Sequence, residues 1–237
     1  MCFRFASRCV VRLAVLVFTL AASPSVFGQG AVSFNFDDGY CDSLIHAVWR
    51  LEKAGFRATF YPHTSEIGKF GHMTWQDLRT LAAKGHEVSP HTVNHLDLTT
   101  LPLTGMQAEI FGSRNEFISE KLRAYSFAYP EGEYNVAVVA ELKRAAFLFA
   151  RGADDYDLNS AATDRWALYS HSLVYNATIE IEEVKKNILR AKQENAWYIM
   201  VIHEIKPGPL DGSRPYTVTP EFLQTVINFL VQMHEIG

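Results

Sequence analysis

Two adjacent carboxylates, Asp37 and Asp38, have the clearest chemical potential in this sequence of 237 residues. They follow an alternating apolar run, Val32, Phe34 and Phe36, which predicts a buried strand. Adjacent carboxylates at a strand end repel each other and lose hydration on burial, so a fold tolerates them most easily when a cation offsets their charge. The pair therefore predicts a cation-binding site at the end of the first strand.

A second motif, HTVNH at 91–95, supplies two imidazoles whose spacing lets the rings of His91 and His95 point the same way. This spacing alone is a weak signal, but together with Asp38 it gives two nitrogen ligands and one oxygen ligand. Such a set leaves coordination positions for water and substrate, as a hydrolytic metal site requires, and Asp37 is left for proton transfer. Zn²⁺ is the expected metal, and Co²⁺, Ni²⁺, Mn²⁺ or Fe²⁺ would fit the same ligands.

Alternating strands and helices are expected to position these residues. Strands are predicted at 32–36, 58–61, 86–88, 125–128, 147–150, 166–168 and 197–202. Helices are predicted between them, with Ser43, Thr74 and Asn135 as caps and Pro220 at the start of the last helix. The alternation indicates a parallel barrel or a doubly wound sheet. We expect a distorted (β/α) barrel of about seven parallel strands, formed by residues 29–237 as one domain.

The chemically distinctive segments each follow a predicted strand. Residues 37–38 follow the first strand, 91–95 the third, 129–132 the fourth, and His203 the last. In α/β barrels, active sites are built where strands end. The sequence therefore predicts that these segments meet on one face of the domain.

The first 28 residues have the pattern of a secretory signal peptide. Arg4, Arg8 and Arg12 form a basic region before an apolar run at 13–22, which is too short to span a bilayer. Small residues follow, and cleavage is expected after Gly28. We expect a secreted protein, extracellular or periplasmic, with no stable membrane span after cleavage; the alternative is an uncleaved anchor.

Composition narrows the classes of partner. Hydrophobic residues make up 48% of the chain and charged residues 20%, which allows a sizeable core. The net charge of −4 and the lack of a basic stripe argue against nucleic acid as a partner. Cleavage at Gly28 would leave Cys41 as the only cysteine, which excludes an internal disulfide.

With these motifs in order, the chain resembles the polysaccharide deacetylase superfamily, also called the NodB-homology or carbohydrate esterase superfamily. The resemblance covers nearly all of residues 31–236. Its motifs stand here as NFDDG at 35–39, HTVNH at 91–95, AYPEG at 128–132 and MVIH at 200–203. The first two motifs are specific in combination, and the later two are looser.

The resemblance implies a role for each matching residue. Asp37 would be the general base and His203 the general acid, and the metal ligands would be Asp38, His91 and His95. The remaining implied positions are the Glu131 N–H facing the oxyanion, Tyr129 and Pro130 beside it, Met200 near the acetyl methyl group, and Trp166 as a pocket wall. Asp164 would tune the catalytic histidine, although segment 164–166 is equally consistent with a plain approach to a strand.

Two positions depart from the family pattern. Ala128 stands where members usually carry an arginine that orients the base, and Glu131 stands where they carry a tyrosine. The charge partner of Asp37 must then come from elsewhere, with Arg151 and Arg165 as the alternatives.

The expected function is hydrolysis of N-acetyl groups on a polysaccharide of the N-acetylglucosamine type. One alternative is an O-deacetylase of acetylated xylan that uses the same site. The other is a catalytically inactive homologue that binds glycan, an alternative motivated by the missing arginine at Ala128. No protein partner is predicted.

Overall fold

The computed structural model describes residues 30–153, 157–173, 181–210 and 213–236, and the predicted signal peptide lies outside these ranges. The strands are β1 (Ala31–Asp37), β2 (Ala58–Tyr61), β3 (Glu87–Val88), β4 (Ser126–Ala128), β5 (Phe149–Arg151), β6 (His171–Ser172), β7 (Trp197–Ile202), β8 (Glu204–Ile205) and β9 (Thr217–Val218). The α-helices are α1 (Trp49–Lys53), α2 (Trp75–Ala83), α3 (Leu103–Ser119), α4 (Val136–Arg144), α5 (Ile181–Glu194) and α6 (Pro220–Ile236). Within the described ranges no helix is both long and apolar enough to span a bilayer.

The predicted α/β class with parallel strands is confirmed, and the strands divide among three sheets. The central sheet has the order β3-β2-β1-β7-β6, and its neighbours are parallel throughout. A second parallel pair joins β4 to β5, and a small third pair joins β8 to β9. Between β3 and β4, side-chain bonds link the two sheets: Ser89 Oγ accepts from the Ser126 N–H, and the His91 ring bonds the Ala128 carbonyl.

Successive side chains of β1 point to opposite faces of the sheet, and both faces are buried. Phe34 and Phe36 pack into the apolar core with the inner faces of α5 and α6, which include Val184 and Val226. Asn35 and the last residue of β1, Asp37, are also buried, but they lie on the opposite face of the strand. Polar side chains from several strands gather on that second face, where the candidate site is built.

Most predicted elements are present, with differences at short strands and caps. Thr74 forms a capping box with Asp77, and Asn135 accepts from the Val138 N–H, as the cap patterns predict. Ser43 instead donates its hydroxyl to the Tyr40 carbonyl, and the chain enters α1 through a π-helical turn at Leu44–Val48. The strand predicted at 166–168 is reduced to a single bridge between Leu168 and Arg151.

Candidate metal centre and active site

Asp38, His91 and His95 lie together, with one ligand atom from each within 4.8 Å of the others. Asp38 Oδ1 is 4.0 Å from His91 Nε2 and 3.7 Å from His95 Nε2. The same Oδ1 is buried and has no hydrogen-bond partner among the described residues. A buried, unpartnered carboxylate oxygen that faces two imidazole nitrogens is a costly arrangement unless a cation satisfies it. These three residues therefore fit a divalent metal.

The loops that carry the three residues adopt unusual backbone conformations. The φ angles of Asp38, Thr92 and His95 are 64°, 68° and 55°, in the left-handed region that residues other than glycine rarely adopt. Strained residues of this kind persist only where the surrounding structure holds them, and they concentrate at functional sites. Thr92 gives local support, since its Oγ1 accepts from the His95 N–H at 3.0 Å.

Glu109, a buried residue of α3, holds the loop between the two histidines. Its Oε2 accepts from the N–H groups of Val93 and Asn94, at 3.0 and 2.8 Å. Its Oε1 accepts from the Asn94 side-chain amide at 2.7 Å. Sequence reasoning missed Glu109 because a helical glutamate carries no local signal of a contact made with a distant loop.

The His91 ring is oriented by the strand next to it. Its Nδ1 lies 2.7 Å from the Ala128 carbonyl oxygen, which can only accept, so the proton is on Nδ1 and the lone pair is on Nε2. Burial lowers the pKa of His91 to about 4, although the Asp37 carboxylate pulls in the opposite direction. The ring is therefore neutral near pH 7, with Nε2 free to bind a metal.

Arg151 supplies the charge partner of Asp37. Arg151 is paired in register with Ala128, and its Nη2 donates to Asp37 Oδ1. Both side chains are at most 3% exposed. Burial raises the pKa of Asp37, but attraction to Arg151, and then to the rings of His91 and His203, outweighs burial and holds the pKa below its ordinary range. Arg165 was the other alternative for this charge partner. Its guanidinium carbon instead lies over the Trp166 ring, 5.5 Å from the ring centroid.

His203 follows β7 and contributes to the charge environment of Asp37. Its ring centroid is 5.0 Å from that of Tyr216, and its Nδ1 is buried with no hydrogen-bond partner among the described residues. Because side chains alternate along β7, Val201 lies on the same face of the strand as His203, two residues later. Met200 lies on the opposite face of β7 and is fully buried in the apolar core, and its place near the acetyl methyl group stays a prediction.

Tyr129, Trp166 and Asp164 form a structural cluster beside β5. The Tyr129 hydroxyl donates to the Trp166 carbonyl at 2.9 Å, and Asp164 Oδ1 accepts from the Trp166 N–H at 3.0 Å. Tyr129 and Trp166 are both buried in the core. Asp164 thus stabilises the turn before Trp166.

The turn Pro130–Gly132 follows Tyr129 at the end of β4. Glu131 is exposed and has a φ of 56°, while Pro130 is buried. A Cβ added to Gly132 would lie 2.7 Å from the Ala153 nitrogen, so only glycine fits the closing position of this turn. The turn is held in one conformation at the end of the strand that adjoins His91.

Two further histidines, His63 and His72, flank the candidate metal set, and no motif in the sequence singles them out. The His63 ring is 5.6 Å from that of His95 and 6.2 Å from that of His72. The His72 ring stacks on Tyr40 at 5.0 Å. His63 comes two residues after β2, and this position at a strand end is the signal that would have marked it.

A family model and two curated proteins show what the chain is similar to. A family model described as polysaccharide deacetylase matches residues 26–150. The Bacillus subtilis (strain 168) protein YxkH, which carries a polysaccharide deacetylase designation, is 29% identical over 135 residues, covering 56% of this chain and 47% of that protein. A chitin deacetylase of Arthroderma benhamiae (strain ATCC MYA-4681 / CBS 112371) is 26% identical over 172 residues, covering 68% of this chain and 41% of that protein.

The fold is also shared with a solved structure. A family 4 carbohydrate esterase from Streptomyces lividans, in complex with acetate, superimposes with a TM-score of 0.55 at 16% identity, covering 87% of this chain and 88% of that one. At this identity the likeness concerns the fold alone. The chain spans about half the length, or less, of the two curated relatives above.

Proposed function

Because the chain belongs to the polysaccharide deacetylase family, we propose that it is a metal-dependent hydrolase that removes N-acetyl groups from a polysaccharide of the N-acetylglucosamine type. The observation that carries the proposal is the position of Asp38 Oδ1, within 4.0 Å of Nε2 of both His91 and His95. Asp37, the adjacent carboxylate, is held by Arg151 beside this set. A chitin deacetylase among the relatives supports the choice of substrate class.

The metal would be held by Asp38 Oδ1, His91 Nε2 and His95 Nε2. When bound there, a divalent ion, Zn²⁺ by preference, supplies Lewis acidity that polarises the acetyl carbonyl and makes a water more acidic. Nitrogen and carboxylate ligands of this kind also fit Co²⁺, Ni²⁺, Mn²⁺ or Fe²⁺.

Asp37 and His203 would carry the two proton transfers. Asp37 is ionised near neutral pH, since its pKa is lowered, so it can accept the proton of the attacking water. The bond from the water oxygen to the acetyl carbon forms, and the carbon–nitrogen bond then breaks. His203 gives a proton to the departing amine, which is a poor leaving group without it. The Glu131 N–H would donate to the developing oxyanion.

The inactive alternative was motivated by the absence of an arginine at position 128. Arg151 reaches the same carboxylate from the paired strand, so the charge partner that the base requires is present. This contact favours a catalytic site over a cleft that only binds glycan.

Acetate release from acetylated chitin oligosaccharides and from acetylated xylan oligosaccharides tests the proposal directly. We expect release from the first substrate, loss of release with a chelator and recovery on adding Zn²⁺. Asp38→Asn should abolish release, while Asp77→Asn, at an exposed helix cap, should leave it unchanged. If metal binds but no substrate yields acetate, the protein is a binding homologue. Release from xylan alone would make it an O-deacetylase.

We also propose that the protein is secreted, extracellular or periplasmic. The support is the run of basic residues followed by apolar residues in the first 28 positions. N-terminal sequencing of protein from a culture medium or periplasm should begin at Gln29. A mature protein that keeps its first 28 residues would contradict cleavage.

A further inference from the structure

Arg151 is among the largest fully buried side chains, and two hydrogen bonds and one ring contact orient its guanidinium. Its Nη2 donates to Asp37, and its Nη1 donates to the Gly152 carbonyl at 3.1 Å. Its Nε has no hydrogen-bond partner among the described residues. The guanidinium carbon lies 4.9 Å from the centroid of the Tyr61 ring, so this ring supports the face of the cation.

The Tyr61 hydroxyl begins a series of hydrogen bonds that holds its side chain in place. The Tyr61 hydroxyl donates to Ser126 Oγ at 2.8 Å, and the Ser126 hydroxyl donates to Glu87 Oε1 at 2.6 Å. The other oxygen of Glu87 accepts from Thr59 at 3.2 Å. These hydrogen bonds connect β2 and β3 of the central sheet with β4 of the second sheet. The Tyr61 ring is therefore fixed relative to both sheets.

The orientation of the guanidinium decides which oxygen of Asp37 is available. Oδ1 is bonded to Arg151, and this leaves Oδ2, which lies 3.9 Å from His91 Nε2. Oδ2 is thus beside an atom of the candidate metal set. A tilt of the guanidinium would turn the carboxylate and move Oδ2 away, because Asp37 ends its strand and accepts no other side-chain hydrogen bond from the described residues.

We propose that Tyr61 is a positioning residue for hydrolysis: its ring sets the plane of the Arg151 guanidinium, so that Arg151 takes Asp37 Oδ1 and leaves Oδ2 directed at the metal set. This inference rests on the function proposed above. It goes beyond that function because Tyr61, Ser126 and Glu87 match none of the family motifs in the sequence.

Steady-state kinetics on a deacetylation substrate separate this role from a merely structural one. Tyr61→Leu removes the ring, and we expect kcat to fall about 10-fold with KM within about twofold of wild type. Tyr61→Phe keeps the ring and loses only the tether, so kcat should fall by no more than about threefold. Tyr198→Leu is the matched control, because Tyr198 is equally buried and hydrogen-bonded but contacts His171 instead. Equal losses in Tyr61→Leu and Tyr61→Phe, or in Tyr61→Leu and Tyr198→Leu, would overturn the proposal.

A spectroscopic measurement decides the same point without acetate release. In ¹⁵N-labelled protein, the side-chain Nε–H proton of Arg151, assigned by its loss in Arg151→Lys, should be displaced by the ring current of Tyr61. The displacement should persist in Tyr61→Phe and disappear in Tyr61→Leu. If Tyr61→Leu fails to fold, the wild-type spectrum suffices, since an Arg151 signal at the position of exposed arginines would refute the stacking. A wild-type protein that releases no acetate would overturn the proposed function, while this spectrum would still test the role of Tyr61.

Discussion

At the scale of single residues, the site depends on a buried ion pair that the family pattern places elsewhere. Ala128 lacks the expected guanidinium, and Arg151, its partner in register on β5, supplies one to Asp37. The sequence left Arg151 and Arg165 as alternatives for the charge partner of Asp37. Only the pairing of β4 with β5 shows that Arg151 is that partner. An arginine on the neighbouring strand can make the same contact with Asp37, because adjacent parallel strands bring paired residues side by side.

Arg151→Met should destabilise the protein strongly, because it leaves Asp37 buried without its cation. Breaking a buried pair in this way costs about 3–5 kcal/mol in the free energy of unfolding. The double variant Arg151→Met with Asp37→Asn should recover a large part of that loss. Arg190→Met is the control, since Arg190 pairs with Glu194 on the surface of α5 and should cost less than about 1 kcal/mol. Urea denaturation at neutral pH measures all of them, and equal stability of the single and double variants would contradict the ion pair.

The His91 ring should make the metal-free protein sensitive to acid. Its pKa is about 4 in the folded state against 6.5 ordinarily, so the unfolded chain binds the proton more tightly. Stability should therefore be full above about pH 6.5 and fall as the pH drops toward 4, by about 2 kcal/mol at pH 5. Burial also lowers the pKa of His63 and His86, so these two residues add to the loss of stability in acid.

His91→Asn isolates this contribution, because asparagine can still donate to the Ala128 carbonyl but does not titrate in this range. The difference in unfolding free energy between pH 7 and pH 5 should shrink by about 2 kcal/mol in this variant. Chemical denaturation at the two pH values measures it. An unchanged difference would mean that His91 is not the buried neutral ring described above.

At the scale of elements, the strand ends set the site, and α3 holds its most irregular loop. The sequence placed each reactive segment after a strand, because alternating apolar residues and caps mark where strands end. It did not reveal β6, β8 or β9, which have two residues each and so no detectable period, although β3, equally short, was predicted just after Gly85. The contact from Glu109 to the loop at 93–94 was equally invisible, because it joins distant parts of the chain.

Glu109→Gln should weaken metal binding without unfolding the protein. Glutamine keeps one acceptor oxygen but loses the second, so the loop between His91 and His95 loses part of its support. Outer residues that orient metal ligands are typically worth 10–100-fold in affinity, and we expect about 10-fold here. Glu116→Gln, exposed on the same helix, is the matched control. Competition with a chromophoric chelator gives both affinities, and equal values would show that Glu109 does not support the site.

At the scale of the whole molecule, family membership and geometry agree on one face of a parallel α/β fold. The sequence predicted the class and the convergence of Asp37, Asp38, His91 and His95, because motif order and strand alternation are both local features. It did not reveal that Met200 and Trp166 lie in the apolar core, since position within a motif does not tell which side of a strand is buried. The division of the strands among three sheets depends on pairings between distant segments, which local patterns do not encode.

The most direct measurement is anomalous diffraction at the zinc edge from crystals of the protein grown with Zn²⁺. The account predicts one strong peak at about 2.0–2.2 Å from Asp38 Oδ1, His91 Nε2 and His95 Nε2 together. The peak should be absent in crystals of Asp38→Asn treated in the same way. A peak held by other residues, or no peak near these three in the wild-type protein, would contradict the central claim.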